Sequence, residues 1–362
     1  MDALHKSIYT LPVEQLQWSI TSPSTTIFNW EYDNGRSKLL NLYEKGKNLQ
    51  WNANTRLNWA QEVDLNDPFG SPEELNALYG SPWWNKMDAK NKGELKYHQA
   101  AWQFSQFLHG EQGALICTAK IVQTVPDMDS KFYASTQVID EARHVEVYSR
   151  YLHQKLGMAY PVNPNLKALL DNVISDKRWD FTYLGMQILI EGLALAAFNG
   201  IRDYATEPLA QTLNAYVMQD EARHVAFGRL SLRDYYPQLS DKERDEREEF
   251  VVEACYLMRD RLLGEEMYQN LGFNVTEIVD YMADSEGWRN FRKMLFSRIV
   301  PAIKDIGLWG PRIRKAFEDM GIIDFAFLDP QALSDADEVV AQEFDAQRQA
   351  DIQEAILVGA NN

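Results

Sequence analysis

Asp140-Glu141-Ala142-Arg143-His144-Val145 recurs eighty residues later as Asp220-Glu221-Ala222-Arg223-His224-Val225. A lone glutamate precedes each copy by the same thirty residues, Glu111 before Glu141 and Glu191 before Glu221. Four carboxylates and two imidazoles in two matched sets are the donor inventory of a two-metal carboxylate site. In a helical bundle such a site takes one Glu from each of two helices and a Glu-x-x-His from each of the other two. Glu and His at i and i+3 share one helix face, so both members of a motif reach one metal.

The intervals also place the turns. Midway between Glu111 and Glu141 stands Pro126, followed by Asp127, and midway between Glu191 and Glu221 stands Thr206-Glu207-Pro208. Proline is poorly tolerated inside a helix and well tolerated at turns and in first helical turns. Each half therefore reads as a helical hairpin that brings its lone Glu level with its Glu-x-x-His. The longer interval from His144 to Glu191 holds Gly157, Pro161 and Pro164 and suits the one long crossover of such a bundle. Glu191 interrupts a run of apolar residues from Ile188 to Phe198. A buried charge there needs a partner within the protein.

The pattern predicts an all-α protein: a four-helix bundle with additional N- and C-terminal helices. Residues 1–84 read as an irregular and partly helical extension, with one helix over Arg36–Trp51. Residues 85–236 form the metal-binding bundle, with helices near 88–125, 129–156, 166–205 and 207–235. Residues 237–362 supply further helices that pack on the bundle and a polar acidic tail. Ser240-Asp241-Lys242-Glu243 is a capping box opening a helix expected to reach residue 270. Further helices are expected at 274–283, 286–305 and 311–320.

Composition narrows the function. A net charge of −17 over 362 residues argues against nucleic-acid binding, which needs clustered Lys and Arg. Two cysteines, Cys117 and Cys255, imply neither a disulfide scaffold nor a zinc site. No apolar run approaches the roughly 20 residues of a membrane span, and no apolar leader follows Met1. A cytoplasmic protein is expected.

The two Asp-Glu-x-Arg-His motifs and their upstream glutamates resemble the ferritin-like di-iron carboxylate superfamily. It includes the hydroxylases of bacterial multicomponent monooxygenases and the small subunits of ribonucleotide reductase. The resemblance covers roughly residues 85–236. It implies that Glu111, Glu141 and His144 serve one metal, and Glu191, Glu221 and His224 the other, with Glu141 and Glu221 bridging. Two iron ions are implied as cofactor, manganese being the alternative, with O2 as co-substrate. Asp140 and Asp220 match aspartates that accept a hydrogen bond from a ligand histidine, and the pseudo-twofold aims each at the opposite motif's imidazole. Tyr148, four residues after His144, stands where the reductase small subunit carries its radical tyrosine. Leu115, Gln187 and Leu195, each four residues from a lone Glu, are candidates to line a substrate pocket. Leu195 departs from the threonine usual in the monooxygenases, which leaves the source of protons open. Val217, four before Glu221, departs from the N-oxygenases of this superfamily, which carry an extra histidine there. Arg143 and Arg223 point away from the metal face and read as structural partners of neighbouring carboxylates.

The favoured function is an O2-activating oxidase or monooxygenase acting on a small, largely apolar organic molecule. No dinucleotide fingerprint and too few cysteines for an iron–sulfur cluster imply a separate reductase or ferredoxin as electron donor. A homodimer is expected. Two rival readings are a radical-generating protein using Tyr148 and a ferroxidase in iron handling.

Overall fold

The computed structural model describes Thr10, residues 17–32 and residues 35–360, with side chains described to residue 350 except at position 348. Eight helices frame the site: α1 (Ser37–Asn48), α2 (Ala89–Thr124), α3 (Met128–Tyr151), α4 (Pro164–Ser175), α5 (Trp179–Tyr204), α6 (Pro208–Tyr235), α7 (Asp241–Asp260) and α8 (Pro330–Ala360). No strand occurs among the described residues. The hairpins α2/α3 and α5/α6 are the bundle, and α1 lies across α3 and α6.

Both turns fall at the prolines. The Asp127 carboxylate caps α3 by accepting from Ser130 N at 2.8 Å. Pro208 opens α6, and the Glu207 carboxylate accepts from Leu209 N and Ala210 N. These side chains satisfy backbone donors that the first helical turn leaves unpaired. α5 is apolar around almost its whole circumference and nearly all of it is buried, which is the behaviour of a core helix. Before Glu191 it widens into a π-helical run, Leu184–Ile190. Within that run a Cβ on Gly185 would lie 2.3 Å from Val173 Cγ2, so only glycine lets α5 approach α4 this closely.

Four expectations are corrected. The helix predicted over 166–205 is two helices, α4 and α5, separated at Asp176–Arg178. Lys120 Nζ from α2 donates to the carbonyls of Ile174 and Asp176 at 2.8 and 2.5 Å, ending α4 from outside. The Asp176 carboxylate accepts from Arg178 N at 2.8 Å and turns the chain. The helix opened by the capping box stops at Asp260, because the chain passes through a left-handed glycine, Gly264 at φ 70°, before the short helix Glu265–Asn270. The segment 286–305 divides into Glu286–Met294 and Ile299–Asp305. The acidic tail contains the 31-residue α8, which packs along α6. Asp337 on α8 is buried against Arg298 at 2.9 Å and Arg202 at 3.6 Å, and so ties the C-terminal helix to the bundle.

Candidate metal centre

Midway along the bundle each of its four helices turns a glutamate inward. Glu111 comes from α2, Glu141 from α3, Glu191 from α5 and Glu221 from α6, and His144 and His224 lie one turn after Glu141 and Glu221. All six residues are at most 5% exposed. Glu111, Glu141, His144 and Glu221 bring ligand atoms within 4.8 Å of one another, and so do Glu141, Glu191 and His224. His144 Nδ1 lies 3.2 Å from Glu111, 3.5 Å from Glu141 and 3.1 Å from Glu221. His224 Nδ1 lies 3.1 Å from Glu141 and 3.5 Å from Glu221. Glu141 and Glu221 thus stand between the two imidazoles, while Glu111 flanks the His144 side and Glu191 the His224 side. The imidazole centroids are 5.8 Å apart.

Behind the imidazoles the two motifs cross. His144 Nε2 is 3.1 Å from Asp220 Oδ2, and His224 Nε2 is 3.3 Å from Asp140 Oδ2. Nε2–H donating to an aspartate leaves the Nδ1 lone pair facing the carboxylates. A lone pair aimed at anions is repulsive, so either a proton on Nδ1 or a bound cation must stand between them. Arg143 donates to Asp140 at 2.5 Å, to Asp220 at 2.7 Å and to Gln50 at 2.7 Å, and Arg223 donates to Asp220. Both arginines therefore do pair with carboxylates, and two of each make the layer behind the imidazoles electrically neutral.

The inner layer crowds four carboxylates and two imidazoles, where burial and mutual charge compete. Burial pushes Glu111 up to about 8, with the charges of Glu221 and Glu141 adding and that of His144 opposing. Burial also carries Glu191 well above the carboxylate range, again with Glu221 and Glu141 adding. For Glu141 burial is outweighed by the neighbouring imidazoles, and its carboxyl is held low. His144 and His224 are both raised: burial opposes this, and the surrounding carboxylates, Glu111 first for His144 and Glu141 first for His224, prevail. Meanwhile Glu141 Oε2, Glu191 Oε2, both Glu221 oxygens and His224 Nδ1 have no hydrogen-bond partner. Buried polar atoms are rarely left so. Unpaired carboxylate oxygens and imidazole nitrogens converging in one space fit two divalent cations, and a mixed carboxylate and imidazole set suits iron.

Two residues near the cluster were not found by sequence reasoning. Gln137 Nε2 donates to Glu141 Oε1 at 2.9 Å and to Glu191 Oε1 at 3.1 Å, joining the two hairpins. It lies four residues before Glu141, the same offset that singles out Gln187 and Val217, and that offset was the available signal. Trp51 Nε1 donates to Asp220 Oδ2 at 2.8 Å. It comes from the loop after α1 and carried no signal in the sequence.

The other candidates are distributed as follows. Tyr148 is fully buried, and its hydroxyl donates to Asn214 Oδ1 at 3.0 Å. Its ring packs with Phe104, Phe107 and Phe198 at centroid distances of 5.3, 5.6 and 5.9 Å. Gln187 and Leu195 are buried, and Leu115 is only half-buried. Val217 is buried, and among the described residues no third imidazole enters the cluster. His98 and His109 are occupied elsewhere, against Tyr160 Oη at 2.6 Å and the Tyr160 carbonyl at 2.8 Å.

A four-helix bundle that gathers glutamates and histidines at two adjacent cation positions defines the class of ferritin-like di-metal carboxylate proteins. Within that class the sequence matches the family of p-aminobenzoate N-oxygenase AurF over residues 33–307, and the chain belongs to this family. It is a family of di-iron oxygenases, so the protein is an oxidoreductase. No curated protein matches the chain.

Proposed function

We propose that the protein oxygenates a small aromatic or otherwise apolar organic molecule, using O2 at a di-iron centre held by Glu111, Glu141, His144, Glu191, Glu221 and His224. When bound, the iron pair would supply the redox chemistry that activates O2. The carrying observation is a cleft of about 560 Å³ on one end of the bundle, lined by Phe69, Trp102, Gln103, Ala197, Ile201 and Trp288 among others. Its volume lies within the range of small-molecule sites. Phe107, one turn before Glu111, and Phe198, two turns after Glu191, meet edge to face at 4.6 Å between the cleft and the carboxylates. With Tyr148 they form an aromatic wall that excludes water from the cluster and that an apolar substrate must displace. Leu195 would line the inner side of that wall, whereas Gln187 and Leu115 fall one helical turn beyond the carboxylates on the other side.

The proposal does not extend to p-aminobenzoate itself. Position 217, where the N-oxygenases are expected to carry a further histidine, is valine, so the donor set has two imidazoles. Electrons would come from a separate donor protein, since the chain has no fingerprint for a redox cofactor of its own. Asp140 and Asp220 would hold the imidazoles in the tautomer that ligates through Nδ1.

The test is single turnover of the Fe(II)-loaded protein with 18O2 and a panel of arylamines and alkylbenzenes, read by mass spectrometry. Incorporation of 18O into one class names the substrate. O2 consumption that is unaffected by every panel member, with no labelled product, overturns the oxygenase reading in favour of a ferroxidase.

A further inference from the structure

The two ends of the bundle differ in kind. At the cleft end the interior is aromatic, and its hydroxyls are occupied: Tyr148 by Asn214, Tyr151 by Glu207 and the Pro68 carbonyl. At the opposite end, toward Asp127, unpaired polar atoms accumulate. Gln137 Oε1, both amide atoms of Gln187, Tyr133 Oη and Thr118 Oγ1 are buried without a partner. They come from α2, α3 and α5 and lie on the Asp127 side of the carboxylates. Left dry, each costs about 1–3 kcal/mol. Bridging waters are the usual way such groups are satisfied.

These atoms continue to the surface. Tyr133 lies within electrostatic range of Glu191 and Asp140. Its ring and that of Tyr183 pack on the same Phe227, at 4.4 and 5.0 Å. The Tyr183 hydroxyl lies near Ser130 and Ser231, and it and Ser231 Oγ are again buried without a hydrogen-bond partner. Ser130 Oγ donates to Asp127 Oδ2 at 2.8 Å and accepts from Arg36 at 3.3 Å. Arg36, Asp127 and Asp234 form a cluster whose side chains are 25, 32 and 63% exposed. Unpartnered hydroxyls and amides thus lie at intervals between that exposed face and Glu191, and waters between them would join them into a file.

An oxygenase with a sealed centre needs such a file. Inserting one oxygen atom into a substrate follows R–H + O2 + 2 e− + 2 H+ → R–OH + H2O. The electrons come from the donor protein, and two protons must reach a site whose six donors are buried. Resting on the oxygenase reading, we propose that Ser130, Tyr183 and Tyr133, with waters held by Gln137 and Gln187, are the proton route from the Arg36–Asp127–Asp234 face to Glu191. Each hydroxyl releases one proton inward as it accepts one from outside, so nothing on the route is oxidised or consumed. Substrate then enters at the aromatic end and protons at the polar end.

The test uses Tyr183→Phe and Tyr133→Phe, which delete one hydroxyl and keep the ring on Phe227. Tyr151→Phe, which removes a buried hydroxyl at the other end, is the control. Metal content and thermal midpoint are measured first. The iron-loaded, air-oxidised protein is then reduced by dithionite without O2 or substrate, and proton uptake is followed with an indicator dye. Uptake should lag reduction by roughly tenfold or more in both variants, and keep pace in wild type and Tyr151→Phe. The single-turnover rate with O2 should fall in parallel, with a larger D2O effect. Uptake within twofold of wild type in both variants at full metal content overturns the route. If Tyr183→Phe does not load metal, Ser130→Ala carries the same measurement. A wild type that fails to oxygenate anything sinks the oxygenase reading, yet the dye experiment still decides the route.

Discussion

Asp220→Asn keeps the shape of a buried side chain and removes its charge. Asp220 Oδ2 accepts from Trp51 at 2.8 Å, Arg143 at 2.7 Å and His144 at 3.1 Å, while Oδ1 accepts from Arg223. Three donors at Oδ2 force the asparagine to place its carbonyl there. Its NH2 is then turned against the Arg223 guanidinium, and two buried cations share Asp140 alone. Breaking a buried ion pair by removing one partner costs about 3–5 kcal/mol. At roughly 2 °C per kcal/mol in a chain of this size, the metal-free variant should melt about 6–10 °C lower. His144 keeps an acceptor but loses an anionic one, so metal affinity or O2 reactivity should fall roughly 10–100-fold. The pH dependence has a definite sign. Burial opposes ionisation of Asp220, but Arg223, His144 and Arg143 hold its carboxyl well below the usual range. Its contribution is therefore complete above the ordinary aspartate value near 4 and is lost as pH falls below it, so the deficit of the variant should shrink there. Scanning calorimetry of the metal-free proteins, iron titration and stopped-flow O2 reaction read all three effects. Asp140→Asn, which lacks the Trp51 donor, should be milder. A metal-free Asp220→Asn melting within 1 °C of wild type, or more stable than Asp140→Asn, would refute the reasoning.

Metal loading should release protons. Near pH 7 the metal-free cluster holds protons on Glu111, pushed up to about 8, on Glu191 and on both imidazoles, and divalent cations displace them. Calorimetric titration with Zn(II) in buffers of different ionisation enthalpy should show more than one proton released, with the number falling above pH 8; buffer-independent heats contradict this. Gln137→Leu removes the amide that donates to Glu141 and Glu191, and the lost bonds should weaken metal binding roughly tenfold or more; an unchanged titration shows that the amide is not a positioning group. Asp337→Ala leaves Arg202 and Arg298 without their shared carboxylate, at a cost of about 3 kcal/mol. Amide exchange should rise along α8 before the bundle helices, and uniform protection would show that α8 is held by other contacts.

Much of the centre could be read from period and symmetry alone. The repeated hexapeptide, the thirty-residue offsets and the midpoint prolines place four helices and six donors, because a helical face is a property of spacing. The crossed aspartates follow from the same pseudo-twofold. What spacing does not encode is tertiary. The ammonium that ends α4 belongs to Lys120, 54 residues upstream of Ile174 in sequence, so local propensity across 166–205 shows no stop. Trp51 and Gln50 reach the aspartates from just beyond α1, which ends at Asn48 rather than at Trp51, and helical period alone does not aim them there. α8 is polar and mostly exposed, so its docking shows no apolar stripe; the buried Asp337, with contacts such as Tyr216 to Asp345 and Arg229 to Gln331, holds it.

The crossing of the aspartates bears on how the two halves depend on each other. Asp140 holds the imidazole of the second motif, and Asp220 that of the first. A lone hairpin would carry an aspartate with no histidine to hold and a histidine with nothing to hold it. Two identical hairpins about a twofold axis would satisfy both at once. The reciprocity means that each half completes the other's imidazole, as two copies of one hairpin would. The halves should still complement when the chain is cut in the crossover between Gly157 and Asn163, because every exchange between them is noncovalent.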